Sequence, residues 1–222
     1  MTITNQQIIT MMKTSIQLLR PFALVAVMLC SLGMLAQDGI RVNFKGASPS
    51  VSDFVNAFVS SRDDGEEEDC CVDEAFNGVA NVWERYHKGI PLEEGETLTI
   101  DEKNGYVLYE RSSEYESGEY VFRCEMCFWN EADGKHKLFA YSVWCFTDGK
   151  PALGQFDGIT FYRYDNATRR MTMCDVPGFD VEYFDTSYAL PRTGKDITVT
   201  KWDENGNKVE RTLKWNGHGF SF

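Results

Sequence analysis

Histidine is scarce in this chain: His87, His136 and His218 are the only three in 222 residues. They fall at a helix end, after a hairpin turn and in a glycine-rich tail, and no Gly-x-Ser-x-Gly turn accompanies them. This points to solvated surface histidines and excludes the usual nucleophile-and-base arrangement of a hydrolase. Zinc is excluded too, because its ligands would have to converge from Cys70, Cys71, Cys174 or the histidines, and adjacent cysteines are poor zinc spacing. No cofactor is expected. Basic residues are also short, 22 Lys and Arg against 34 Asp and Glu. A surface of that sign repels phosphate backbones, which excludes nucleic acid as a partner.

Long apolar runs are missing as well. The longest near the N-terminus, Phe22 to Leu29, is followed by Ser31 and Gly33 and ends at Ala36. That is short of the roughly 20 residues a membrane-spanning helix needs. No acid occurs before Asp38, while Lys13 and Arg20 supply a basic lead-in. A basic region followed by an apolar core is a cleavable secretion signal, with Ala36 to Gln37 as the bond to be cut. Cys30 is preceded by bulky Leu29, where a lipoprotein signal needs a small residue, so no lipid anchor is expected. Residues 1–36 are therefore read as signal peptide and 37–222 as a single α+β domain, exported and not stably inserted in a membrane. The signal holds two basic and no acidic residues, leaving 186 residues with 20 basic and 34 acidic side chains, a net charge near −14.

What is present argues for a folded β-rich domain. Aromatic residues make up 14% of the chain, too many for a disordered segment. Ser48-Pro49-Ser50 precedes Val51, Phe54, Val55, Phe58 and Val59 at helical spacing, which predicts a first helix. Asp63 to Asp69 places six acids around Gly65; it lacks the alternate-position ligands of a calcium loop and reads as a solvated loop. From Val72, the stripe Ala75, Phe76, Val79, Val82, Trp83 and Tyr86 predicts a second helix that stops at Lys88 and Gly89.

After Glu96 the period falls to two, and turn residues recur at short intervals. Four hairpins follow: 98–101 with 106–111, 120–130 with 138–146, 159–164 with 170–174, and 197–202 with 209–215. In the last, Ile197 and Val199 share a face with Val209 and Leu213 only if the loop is odd in length, which favours Asn205 to Asn207. Asn166-Ala167-Thr168 reads as turn sequence, although it matches a glycosylation sequon. Asp175 to Lys195 reads as a long loop or a poorly formed edge strand. The expected architecture is α+β: two N-terminal helices packed on an antiparallel meander of about eight strands, forming a curved sheet, partial barrel or sandwich.

Several phrases in the chain resemble a set of uncharacterised exported proteins of the Bacteroidota. They are Glu125-Met126-Cys127-Phe128-Trp129-Asn130, His136-Lys137-Leu138, Gly154-Gln155-Phe156-Asp157-Gly158-Ile159, Tyr164-Asp165-Asn166-Ala167-Thr168, Leu190-Pro191-Arg192 with Gly194-Lys195, and Trp215-Asn216-Gly217. The resemblance spans most of the mature chain. It implies a periplasmic, cell-surface or secreted location in a Gram-negative bacterium and carries no chemistry with it.

Cys124-Glu125-Met126-Cys127 has redox-motif spacing, but in a strand residues three apart face opposite ways and cannot form a bridge. The mature chain holds six cysteines, which an exported protein can pair in 15 ways. Hairpin geometry puts Cys124 and Cys145 on one face. An Asp133-Gly134 turn sets Cys124 opposite Val143, whereas a Gly134-Lys135 turn sets it opposite Cys145 and permits a disulfide. Trp129, Trp144, Tyr162 and Tyr164 exceed what one core face obviously needs. They form either an exposed platform for a protein or carbohydrate ligand, or the filling of two covered sheet faces.

The leading functional expectation is a non-catalytic exported binding or interaction protein. Two alternatives stand beside it: a hydrolase of envelope or dietary polymer using dispersed carboxylates, and a small outer-membrane barrel.

Overall fold

The first helix begins where a reciprocal cap satisfies its free amides. Ser50 Oγ accepts the Asp53 backbone N–H at 3.3 Å, and Asp53 Oδ2 accepts that of Ser50 at 2.8 Å. Pro49 thus precedes the cap. The computed structural model describes residues 39–61, 72–115, 118–151, 158–180, 186–203, 205 and 207–222. The segment read as a signal and the acidic run from Asp63 to Asp69 lie outside them, as do Cys30, Cys70 and Cys71. By its contacts the chain from Ile40 to Phe222 forms one unit.

In chain order the elements are β1 (Ile40–Arg41), α1 (Val51–Ser60), α2 (Val72–His87), β2 (Glu96–Asp101), β3 (Tyr106–Tyr115), β4 (Gly118–Asn130) and β5 (His136–Thr147). Then come β6 (Lys150–Pro151), β7 (Gly158–Asp165), β8 (Arg170–Met173), β9 (Thr186–Ala189), β10 (Ile197–Trp202), β11 (Lys208–Trp215) and β12 (Phe220–Ser221). Every pairing among them is antiparallel. One sheet runs β1-β8-β7-β5-β4-β3-β2, with β6 beside β5, and curls into a half-barrel. The other runs β12-β11-β10-β9.

This corrects the α+β expectation of two N-terminal helices on an eight-stranded meander. The fold is predominantly antiparallel β, with twelve described strands in two sheets against two described helices. The helices are not N-terminal to the sheet. β1 precedes them and pairs with β8, Ile40 opposite Met171, so they interrupt the chain between the two edges of one sheet. The last hairpin does not extend the meander either, because it forms its own sheet with β9 and β12. The sheet ends at β1 and β2, so it does not close on itself. Pairings this distant leave no local mark: a strand of two residues has no period.

Each face of the large sheet is buried. On one, Phe54 of α1 lies 5.2 Å from Tyr164, 5.3 Å from Phe128 and 5.5 Å from Phe139, ring to ring. Phe58 lies 4.8 Å from Tyr141. Val79, Val82 and Trp83 of α2 join the same core, and Trp83 Nε1 donates to Asn56 Oδ1 at 2.7 Å. Tyr86, expected on this buried stripe, is 53% exposed, with its ring against Trp83 and His87 of its own helix. The Phe76 side chain lies outside what is described. The other face meets the small sheet: Trp129, Trp144 and Phe161 pack with Tyr188, Ile197, Leu213 and Phe220.

Candidate binding site

Trp129, Trp144, Tyr162 and Tyr164 do not meet on a surface. All four are buried, and the sheet pleat divides them: Tyr162 and Tyr164 enter the helix-side core, Trp129 and Trp144 the inter-sheet core. Trp129 Nε1 donates to the Lys195 carbonyl at 2.8 Å, and Trp144 Nε1 to Ser142 Oγ at 2.7 Å. Among the described residues Tyr164 Oη has no hydrogen-bond partner, although the residue is fully buried.

The cysteines separate in the same way. Cys124 belongs to the helix-side core and Cys127 to the inter-sheet core, the opposite-face arrangement that rules out their bridging. Pairing of β4 with β5 sets Cys124 opposite Val143 and Cys145 opposite Phe122, the register of the Asp133-Gly134 turn. Gly134 takes φ +68° there. The Cys124 to Cys145 disulfide is therefore corrected: that register does not bring the two together, and Cys124, Cys127, Cys145 and Cys174 form no disulfide among the described residues. Tyr120 Oη donates to Cys145 Sγ at 2.8 Å.

One carboxylate is buried between the sheets. Glu125 accepts Tyr106 Oη at 2.6 Å on Oε1 and the Leu190 backbone N–H at 3.1 Å on Oε2. Burial pushes its carboxyl above the usual range, against the pull of both hydrogen bonds. Burial, and then the charge of Glu125, raises the Tyr106 phenol. The arrangement ties β9 and its exit to the large sheet, a structural task that leaves neither group open to a ligand. At the β4–β5 turn Glu131, Asp133 and His136 bring ligand atoms within 4.8 Å of one another, the one such trio among the described residues. Each is engaged already. Arg163 Nε donates to Glu131 Oε1 at 2.7 Å, and His136 Nδ1 lies 2.5 Å from Asp133 Oδ2. Asp133 Oδ1 accepts the backbone N–H of Lys135 and of His136. The His136 bond holds the Asp133 carboxyl well below the usual range. The trio shapes a turn.

An open cavity of about 360 Å³ lies under the outer half of the β10–β11 hairpin. Its position follows from register. Ile197 faces Leu213, Val199 faces Arg211 and Lys201 faces Val209, so all six share one face of the hairpin. Ile197, Val199 and Leu213 belong to the inter-sheet core, whereas Lys201, Val209 and Arg211 are exposed. Val199 and Leu213 line the cavity from the core, and Val209 and Phe222 add exposed apolar surface. Buried Thr186, opposite Lys201 on β9, and exposed Asp180 add a hydroxyl and a carboxylate. The far rim is Gly178, at φ +73°, where a Cβ would stand 1.9 Å from the Phe220 carbonyl oxygen. Only glycine allows the chain to pass so close.

None of these lining residues was a candidate on sequence grounds. The parity that places Ile197, Val199 and Leu213 inward also places Lys201 and Arg211 inward, and charge on an otherwise apolar face was the available signal. No family model, curated protein or solved structure matches the chain.

Proposed function

We propose that this is an exported, non-catalytic binding protein whose ligand occupies the cavity under the β10–β11 hairpin. The observation that carries the reading is the cavity itself: about 360 Å³, lined by hydrocarbon and a few polar groups. Small-molecule sites have that size and that mixture. Among the described lining residues there is no histidine or cysteine to act as base or nucleophile, and a single carboxylate, Asp180, where glycoside hydrolysis uses a pair. Both points favour binding over catalysis. Export rests on the N-terminal signal; among the described residues no helix is long and apolar enough to cross a membrane.

Methyl NMR with benzyl alcohol as a neutral probe tests the site. The Val199, Val209 and Leu213 methyls should shift in a saturable way, and Val209→Trp, which fills the opening from an exposed position, should abolish the effect. Shifts that never saturate, or that survive the filled cavity, defeat the proposal. For export, N-terminal sequencing of protein from the native host should begin at Gln37; recovery of Met1 defeats it.

A further inference from the structure

Glu125 joins the two sheets through a group that can change its charge. It shares the inter-sheet face of β4 with Cys127 and Trp129 and is 5% exposed. Oε1 is bonded to Tyr106 on β3, and Oε2 to the backbone N–H of Leu190, the residue that follows β9. Neighbouring ties between the sheets do not titrate: Trp129 Nε1 donates to the Lys195 carbonyl, and Ser142 Oγ to the Tyr188 carbonyl at 3.4 Å. Arg192, two residues beyond Leu190, pairs with Asp101 of β2 at 3.0 Å. Asn104 and then Arg192 hold that carboxyl below its usual range, so the pair keeps its charges above about pH 4.

No cation is bonded to Glu125 among the described residues, where its partners are Tyr106 and Leu190 alone. The charged and titratable groups around it are Tyr106 and Glu110 on β3 and Arg123 and Cys127 on β4. From β5 Ser142 stands opposite, and β9 brings Tyr188 into the same core. Arg123 is already paired with Glu110 at 2.8 Å, and burial keeps the Tyr106 phenol neutral. An ionised carboxylate here is held by two hydrogen bonds and no bonded counter-ion, a costly arrangement for a desolvated charge. Protonation sacrifices neither bond: Oε2 still accepts from Leu190, and Oε1 can then donate to Tyr106 Oη. The docked geometry therefore suits the neutral carboxyl, whereas a released one ionises near pH 4.3.

We infer that Glu125 is a pH-sensitive latch, which holds β9 and the strands paired with it against the large sheet when protonated and loosens them when ionised. Its direction follows from burial, which raises the carboxyl in the docked state: opening grows as pH climbs from about 4.3 through the docked value. Thr186 of the same short strand lines the cavity, yet the latch does not depend on a ligand binding there.

Amide hydrogen exchange tests it, with rates corrected for the intrinsic effect of pH. The Leu190 amide and the β9–β10 ladder should exchange about tenfold or more ahead of the β3–β4 ladder, which shows the small sheet opening on its own. Their protection should fall by roughly threefold or more from pH 5 to pH 8. Glu125→Gln should flatten that profile, and Tyr106→Phe, which removes a bond favouring the charged form, should steepen it. Equal protection in the two ladders overturns the latch, because the sheets then part only when the whole protein unfolds. A parent profile that does not change with pH, or one that neither substitution alters, overturns it as well.

Discussion

Cys145 sits diagonal to Cys124 across the β4–β5 pair, each facing a hydrophobic residue on the other strand. Diagonal positions on a sheet are about 7 to 8 Å apart, beyond bridging distance. Burial also pushes the Cys124 and Cys127 thiols well up, so their nucleophilic form is suppressed. Non-reducing peptide mapping should recover Cys124, Cys127, Cys145 and Cys174 unlinked, and Cys124 should react with iodoacetamide only after denaturation. A Cys124 to Cys145 linkage would mean that the β4–β5 register is off by two residues.

Tyr164 offers a stabilising substitution. Its ring packs edge-on to Phe54, while its hydroxyl is buried without a partner among the described residues. Tyr164→Phe keeps the ring and removes the desolvated oxygen, which should raise stability by about 1 kcal/mol in urea melts. A loss of similar size would reveal a bound water or another acceptor for the hydroxyl.

Glu125 should make stability fall with pH. Its carboxyl pKa is raised in the folded protein, so the folded state favours the protonated form. The penalty is absent below the unfolded carboxylate pKa, near 4.3, and grows as pH rises from there through the folded value. Glu125→Gln keeps an acceptor and removes the charge. It should equal or exceed the parent in stability at pH 7 and lose that advantage near pH 4, as denaturant melts at the two pH values would show. A variant more than about 1 kcal/mol weaker at pH 7 would show that the ionised carboxylate is needed for the Tyr106 and Leu190 bonds.

Gly178→Ala should destabilise by more than about 1 kcal/mol, since the position combines positive φ with contact against the Phe220 carbonyl. Because Phe220 N–H donates to the Pro177 carbonyl at 2.9 Å, the strain should also displace the C-terminal strand and weaken probe binding in the cavity. Unchanged melting and unchanged benzyl alcohol shifts would show that this rim can relax.

Local order was legible in the sequence, and long-range order was not. The stripe from Val51 to Phe58, the stop at Gly89 and the strands of all four hairpins follow from spacing and turn residues. In the last hairpin the parity was also readable: Ile197 and Leu213 do share a face, although pairing of Trp202 with Lys208 centres the turn on Asn205 instead of Gly206. Gly206 lies outside the described residues. What spacing could not reveal is which sheet a strand joins. Ile197 to Trp202 alternates identically whether it continues the meander or founds a second sheet, so what covers the second face of the large sheet stayed hidden. The same gap left Trp129 and Trp144 open to two readings, since burial on the second face depends on a partner sheet more than 40 residues away in the chain.

The edge strand β1 has a consequence for the order of folding. Ile40 and Arg41 can pair only once β8 is in place, and both helices and the strands from β2 to β7 lie between them in the chain. Closing so long a loop costs entropy that local hairpins do not face, so the turns from β2 to β5 should form ahead of it. The segment that leaves the synthesis machinery first among these elements is then among the last to be fixed. The same pairing, lying at a sheet edge and only two residues long, should be the first to open in the finished protein.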